Sequence, residues 1–389
     1  MAAENNLDQP HAYRVASILP MTADLSHIQD GLLIQDGRLI ADLGPYRELK
    51  KQYSGPVTDL GDRVMVPGLI NAHTHLELSH LQGRTKLGQG FETWVKSLIL
   101  SPLKKISPGI LAHTLEELIK SGTVFIGDIS GHNPRLLETT LSQSDLFYRL
   151  FIEFIGFKPP KGHRLVWPKG ISPRKSENIG ASGHALYSTH PTTLQLVKSW
   201  SVKNRQPFVI HLAEHPGELE FLTTGRGSFA NLIKKNLVPK DFVPPEMTPV
   251  AYADRLGLLD EQSLAIHCVQ INEKDTQILK HRDVSVCLCP RSNQAIDVGR
   301  APWEKLYSAG IRLCLGTDSL ASAPDLNLWE EAYYLARQWR GQLSLSELVS
   351  FMTVNPAHAL GISGSLGTLQ RGKIAAFSLV PEKLTEICQ

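Results

Sequence analysis

The chain has 389 residues, with 40 Lys and Arg against 38 Asp and Glu. The formal charge is therefore only +2, and no basic stripe marks a nucleic-acid or anionic-membrane surface. Apolar residues make up 42% and charged residues 20%, a globular balance that excludes a disordered chain. The cysteines (Cys268, Cys287, Cys289, Cys314 and Cys388) form no CxxC pair, which argues against a disulfide framework or a four-cysteine zinc site and for a reducing compartment.

In chain order, MAAENNLDQPHAYR has no apolar core of a secretory signal. No apolar run approaches the ~20 residues that span a bilayer, so a soluble cytoplasmic protein is expected. Residues 31–43 (GLLIQDGRLIADL) predict two short strands around Asp36-Gly37, because Asp-Gly between apolar alternations suits a tight hairpin. Eight further strands are expected at 64–70, 123–128, 147–155, 184–189, 207–212, 263–268, 284–289 and 311–316. Amphipathic helical stretches separate most of them, including 109–121, 192–204 and 325–340. Residues 366–380 read as strand again. Short buried strands alternating with helices predict parallel βα units, and eight of them fit an α/β fold of the (β/α)8 TIM-barrel type. A doubly wound open sheet is the rival arrangement.

The histidines carry the functional argument. The first expected barrel strand runs into Asn71-Ala72-His73-Thr74-His75, and residues two apart on an extended segment face the same side. His190 follows the fourth expected strand, His211 ends the fifth, His267 ends the sixth and Asp318 follows the eighth. A barrel brings strand ends to one rim, where active sites of this fold sit. Imidazole and carboxylate groups without thiolates suit Zn²⁺ or Fe²⁺.

Taken in order, HTHLE (73–77), HLAE (211–214), IHCVQ (266–270), CPRSN (289–293) and GTDSLAS (316–322) resemble the metal-dependent amidohydrolase superfamily, in its hydrolytic deaminase branch. The resemblance implies a barrel over 64–360 and a small composite β-sandwich built from 1–63 and 361–389. It implies one divalent ion, with Zn²⁺ preferred and Fe²⁺ the alternative, held by His73, His75, His211 and Asp318. No lysine ends the fourth expected strand, which argues against the two-metal relatives that use a carboxylated lysine there. Such an ion would leave a place for a water of lowered pKa. Glu214 is then the proton shuttle, His267 hydrogen-bonds the attacking oxygen, and Asp318 takes the water's proton. Because His211 and Glu214 are three apart, the chain must bend after Leu212.

For the substrate, Glu92-Thr93-Trp94 resembles a segment of deaminases acting on adenosine-type nucleosides such as S-adenosylhomocysteine, where the glutamate accepts from ribose hydroxyls and the tryptophan packs on the nucleoside. His190 matches a histidine that touches the nucleoside in those relatives, and Arg84 sits near the position of a loop arginine there or is a surface residue. Ser292, Asn293 and Ser319 are polar candidates at the same rim. HTHLELSHL followed by GFETWV also resembles the branch containing aminodeoxyfutalosine deaminases. A small nucleoside-like partner is expected, with no nucleic acid and no membrane. The 5′ substituent would touch loops between 155 and 182 or 216 and 247. The first contains Lys158, Lys161, Arg164, Lys169, Arg174 and Lys175, which suit an acidic substituent or an ordinary solvated surface.

Competing patterns are also present. His211-Leu-Ala-Glu-His215 fits HxxEH of some zinc peptidases, but that motif needs one helix, and Pro216 disfavours helical backbone at His215. His75-Leu-Glu77 fits the HxE of small nucleobase deaminases, yet no PCxxC accompanies it. Two wider alternatives are hydrolysis of another heterocycle, such as guanine or a triazine, and a non-catalytic metal-stabilised binding protein.

Overall fold

The computed structural model describes residues 9–388 except 25, 26, 174, 175, 240, 340 and 341. Arg174 and Lys175 of the basic loop therefore lie outside the described residues.

The N-terminal segment folds into a mixed sheet. Strands β1 (His11–Ile18), β2 (Ile28–Asp36) and β3 (Leu39–Pro45) form an antiparallel meander. Gly37, at φ 56°, makes the β2–β3 turn, which a residue without Cβ enters without strain. Strands β4 (Val57–Asp59) and β5 (Val64–Pro67) both run parallel to β1. Side chains alternate across the sheet. Leu33 packs with Val15, Ile18 and Met65, whereas Leu32 and Ile34 pack with Ala12 under Tyr46, Leu49 and Tyr53.

Eight parallel strands follow in spatial order. They are β6 (Leu69–Thr74), β7 (Thr123–Ser130), β8 (Phe147–Phe154), β9 (Ile179–Ala185), β10 (Phe208–Leu212), β11 (Ser263–His267), β12 (Ser285–Leu288) and β13 (Leu313–Leu315). The last strand approaches the first through a parallel bridge between Thr74 and Asp318. There the Thr317 and Asp318 N–H groups donate to the His73 carbonyl at 3.1 Å each. Asn71 reinforces this seam: its Nδ2 donates to Thr317 Oγ1 at 2.7 Å. The result is the expected barrel, nearly closed. Helices such as Pro108–Lys120, Pro191–Lys203 and Leu328–Trp339 cover it with residues that include Leu115, Leu194 and Leu335.

The chain returns to the small sheet as β14 (Phe377–Leu379), antiparallel to β5. The expected strand content of 366–380 thus reduces to this strand and a bridge from Ile374 to Leu39.

Two expected strands shift register. The run 64–70 divides at Pro67-Gly68: β5 belongs to the small sheet and β6 begins the barrel. Proline has no N–H with which to continue a ladder, and a Cβ on Gly68 would meet the Val124 side chain at 2.5 Å. The expected strand 184–189 is instead β9, Ile179–Ala185. Its sequence, IGASGHA, is small rather than β-branched because it is crowded. A Cβ on Gly180 would meet Phe151 at 2.6 Å, and one on Gly183 would meet Leu194 at 2.3 Å.

Candidate active site

The strand ends converge as a barrel requires. His73 lies in β6 and is fully buried, with neither ring nitrogen hydrogen-bonded. His75 follows that strand, and its ring lies 4.8 Å from that of His73. His211, in β10, lies 5.0 Å from His73. Asp318 Oδ1 stands 3.8 Å from His73 Nε2 and 4.0 Å from His75 Nε2.

The hydrogen bonds behind these rings fix their tautomers. His211 Nδ1 donates to the His184 carbonyl at 3.0 Å, and His75 is bonded to the Ile129 backbone carbonyl. Both Nε2 atoms then carry lone pairs, yet they face each other at 3.2 Å. Two lone pairs at that distance repel unless a cation lies beside them. Burial holds His73 and His211 well below the ordinary imidazole pKa and lowers His75 as well, so these rings are neutral bases. Neutral imidazoles with fixed outer nitrogens and a carboxylate form a donor set suited to a divalent ion.

Asp318 is oriented by neighbours. Ser292 and Ser322 donate to its Oδ2 at 2.6 and 2.9 Å, leaving Oδ1 toward the imidazoles. Ser292 and Asn293 share the helix Pro290–Ala295, which Arg291 anchors. The Arg291 guanidinium pairs with both Asp325 oxygens at 2.8 and 2.7 Å, and the Arg291 backbone N–H donates to Glu331 at 3.0 Å.

His267 and Glu214 form a second pair. His267 Nδ1 donates to Asn293 Oδ1 at 2.8 Å, so its Nε2 accepts. That nitrogen lies 3.5 Å from Glu214 Oε1. Burial, with Asp318 and Glu218 nearby, pushes Glu214 well above the usual carboxylate range, which favours its protonated form. Burial likewise lowers His267. The expected bend after Leu212 is present: Ala213 has φ 52°. The Glu218 carboxyl holds it by accepting the Glu214 N–H at 2.8 Å. His267 and Asp318, at φ 73° and 59°, also occupy the left-handed region, which costs a non-glycine residue about 1 kcal/mol or more.

These groups line a cavity of about 360 Å³. Phe91, Trp94 and Leu98 supply apolar wall, and His75, Glu214, His267, Asp318 and Ser319 supply polar wall. Trp94 Nε1 donates to the Ala321 carbonyl at 2.9 Å, fixing the indole.

Five expected substrate contacts do not line the cavity: Ser292 and Asn293 bond Asp318 and His267 instead, and three fall elsewhere. His190 caps the helix Pro191–Lys203, where its Nδ1 accepts the Thr192 N–H at 3.2 Å. Glu92 accepts from the Ser228 hydroxyl and pairs with Lys96 at 3.7 Å. Arg84 is exposed on a turn. None of the three lines the cavity. The corrected end of β9 places His184 there instead, with Glu153, His132, Glu77 and Tyr187.

Sequence reasoning passed over these residues. Glu77, inside the recognised HTHLE run, grips the end of β7: Ser130 Oγ and the N–H groups of Gly131, His132 and Asn133 all donate to it at 2.6–3.2 Å. His215 is a buried helix cap stacked 3.6 Å from Phe91, not part of a two-histidine helix face. Glu153 and His184 form a further potential ligand group with His211.

The amidohydrolase family model matches residues 64–387. The chain belongs to the amidohydrolase family. It is 27% identical over 327 residues to an aminodeoxyfutalosine deaminase of Deinococcus radiodurans, covering 80% of this chain and 77% of that one. It is 29% identical over 342 residues to a 5-methylthioadenosine/S-adenosylhomocysteine deaminase of Moorella thermoacetica, covering 83% and 74%. Among solved structures, Helicobacter pylori aminofutalosine deaminase with methylthio-coformycin superposes with TM-score 0.81 at 20% identity, covering 97% of this chain and 95% of that one. A zinc-bound adenosine deaminase of Xanthomonas campestris gives 0.77 at 20% identity, covering 95% and 84%. At that identity both likenesses show the fold. The family is one of metal-dependent hydrolases. Among the described residues no helix is long and apolar enough to cross a membrane.

Proposed function

We propose that this amidohydrolase removes the exocyclic amino group of an adenosine-type nucleoside, releasing ammonia. The observation that carries the reading is the buried Glu214 carboxyl 3.5 Å from an accepting His267 Nε2, next to the His73, His75, His211 and Asp318 group. The names of the relatives support the substrate class.

One divalent ion, Zn²⁺ rather than Fe²⁺, would be held by His73, His75, His211 and Asp318. When bound it supplies an acidified water at neutral pH. Glu214 gives its proton to a ring nitrogen beside the amino-bearing carbon, which makes that carbon electrophilic. His267 Nε2 accepts a hydrogen bond from the attacking water and so aims it. Asp318 Oδ1, free of the serine hydroxyls, takes the water's proton and passes it to the departing amine. Water is consumed, a carbonyl replaces the C–NH₂ group, and ammonia leaves. Trp94 and Phe91 offer aromatic faces to the base, while Ser292, Asn293 and Ser319 orient the reacting groups or border them.

A second reading has one observation in its favour. Glu92 and His190, on which ribose recognition was expected, do not line the cavity. A heterocycle without ribose, such as guanine or a triazine, would not require them. A panel assay of metal-loaded enzyme separates the two. It should contain adenosine, 5′-modified adenosines, guanine, cytosine and a triazine, read by ammonia release and ultraviolet absorbance. Conversion of adenosines to inosine-type products is expected, and Glu214→Gln should abolish it while keeping the metal. Turnover of guanine or a triazine alone would move the assignment to the second reading. No turnover across the panel would favour a non-catalytic binding protein.

A further inference from the structure

The helix Pro290–Ala295 reaches both groups that handle the water, although none of its residues lines the cavity. Ser292 donates to Asp318 Oδ2 at 2.6 Å, and Asn293 accepts from His267 Nδ1 at 2.8 Å. The two residues are adjacent and buried, so a displacement of the helix disturbs both bonds together.

Little inside the helix fixes its place. It has six residues, and Cys289 before it supplies no side-chain cap. A helix that short has no stability of its own. Arg291 brings the restraint from outside. Its guanidinium takes both oxygens of Asp325 at 2.8 and 2.7 Å, in the segment that leads from Asp318 to the helix Leu328–Trp339. Such a fork fixes orientation as well as distance. The Arg291 backbone N–H donates to Glu331 at 3.0 Å. That N–H belongs to the first turn, where a helix leaves its donors without internal partners. The wholly buried Glu331 therefore caps the short helix from a neighbouring element. Its Oε1 also stands 3.6 Å from Arg291 Nη1.

Resting on the deaminase reading above, we propose that Arg291 is a positioning residue for the reaction. Through Asp325 and Glu331 it fixes the helix whose Ser292 turns Asp318 Oδ1 toward the imidazoles and whose Asn293 holds His267 with Nε2 free to accept. The guanidinium itself touches no reacting atom. Its removal should slow the chemical step rather than weaken substrate binding, because Phe91 and Trp94 line the cavity from a different helix, Phe91–Ile99.

Arg291→Met keeps the apolar stem and leaves Asp325, whose side chain is 45% exposed, to water. At saturating metal its kcat on the best adenosine of the panel should fall at least ~10-fold, with KM within about threefold of the parent. Arg291→Lys keeps the charge without the fork, so it should regain unfolding midpoint but not kcat. Added to Ser292→Ala/Asn293→Ala, Arg291→Met should lower kcat little further, because the helix then has no bonds to pass on. Lys198→Met is the control for stability alone. Lys198 bonds Asp260 and Ser263 at the opposite end of β11 from His267, so its loss should lower the midpoint and spare kcat. Nitrogen NMR of metal-loaded, histidine-labelled protein reads the tautomer without substrate. The His267 signals, assigned by their absence in His267→Gln, should report a protonated Nδ1 in the parent and in Lys198→Met, and a mixture in Arg291→Met. A kcat loss no larger than that of Lys198→Met, full additivity with the Ser292/Asn293 pair, or a parental His267 signal in Arg291→Met would overturn the positioning role and leave deamination intact. A changed His267 signal in a protein that deaminates no adenosine would keep the positioning role and overturn the deaminase reading.

Discussion

Glu218 offers a sharp test of how the site is held. Its side chain is wholly buried on the helix Pro216–Thr224, and one carboxyl oxygen accepts the Glu214 N–H at 2.8 Å. Glu218→Leu keeps comparable bulk but leaves the Glu214 N–H without an acceptor. An orphaned buried donor costs about 1–3 kcal/mol, and that loss should appear in urea unfolding of the metal-loaded protein. Ala213 already bears left-handed strain at φ 52°, so the bend should relax and carry Glu214 away from His267. A displacement near 1 Å is enough to lower kcat about 100-fold, with less change in KM. Glu218→Gln retains an acceptor oxygen and should stay within about 1 kcal/mol of the parent. Burial raises the Glu218 carboxyl to about 8, so the neutral amide resembles the form present at pH 7. If the leucine variant matches the glutamine variant in unfolding midpoint and in kcat, the bend is not held by Glu218.

Other outcomes follow from neighbouring groups. His184→Ala should raise KM or lower kcat/KM by about an order of magnitude through loss of a cavity wall contact. His190→Ala should cost only the ~0.5–2 kcal/mol of a helix cap, and equal kinetic effects of the two would refute the corrected end of β9. His73→Ala and Asp318→Asn should each lose bound metal by elemental analysis, against one ion per chain in the parent. Two ions would bring Glu153 and His184 into the ligand set. Burial raises the Glu331 carboxyl to about 8. The native state therefore keeps this proton where the unfolded chain, at its ordinary 4.5, has released it. Its contribution is full below 4.5 and is lost as pH rises through 8, an upper bound of roughly 5 kcal/mol. Glu331→Gln should flatten the decline of stability over that window in thermal melts, and an unchanged slope would show that Arg291 keeps Glu331 ionised.

The legible part of this molecule was its rim of side chains. Strands such as PFVIHL and SLAIHC announce themselves by β-branched and apolar runs ending in histidine, and their positions needed little correction. The fourth strand hid because its interior is built from Gly180, Ser182 and Gly183. Close approach by Phe151 and Leu194 demands small residues there, and small residues carry weak strand propensity. The apolar Leu186 and Tyr187 just beyond it drew the strand too far along, which exchanged His184 for His190. Glu218 and Glu331 were invisible for a different reason. A carboxylate on a helix reads as solvent-facing unless its partners are known, and those partners are backbone N–H groups reached only through tertiary structure. Glu92 and Arg84 were placed by resemblance, and neither lines the cavity.

The seam between the first and last barrel strands has a consequence for the order of events in the life of the chain. Asn71 and Thr317 meet across 246 positions, and Asp318 reaches the imidazoles only once that seam has zipped. A growing polypeptide that has emerged as far as β12 owns the three histidines but not the carboxylate. Contacts of such long range are made late, so with the proposed ligand set tight metal uptake would belong to the finished barrel. Retained metal in a population of molecules thus counts those whose last strand has docked, and a chain truncated before Leu313 would leave its histidines as an incomplete claw.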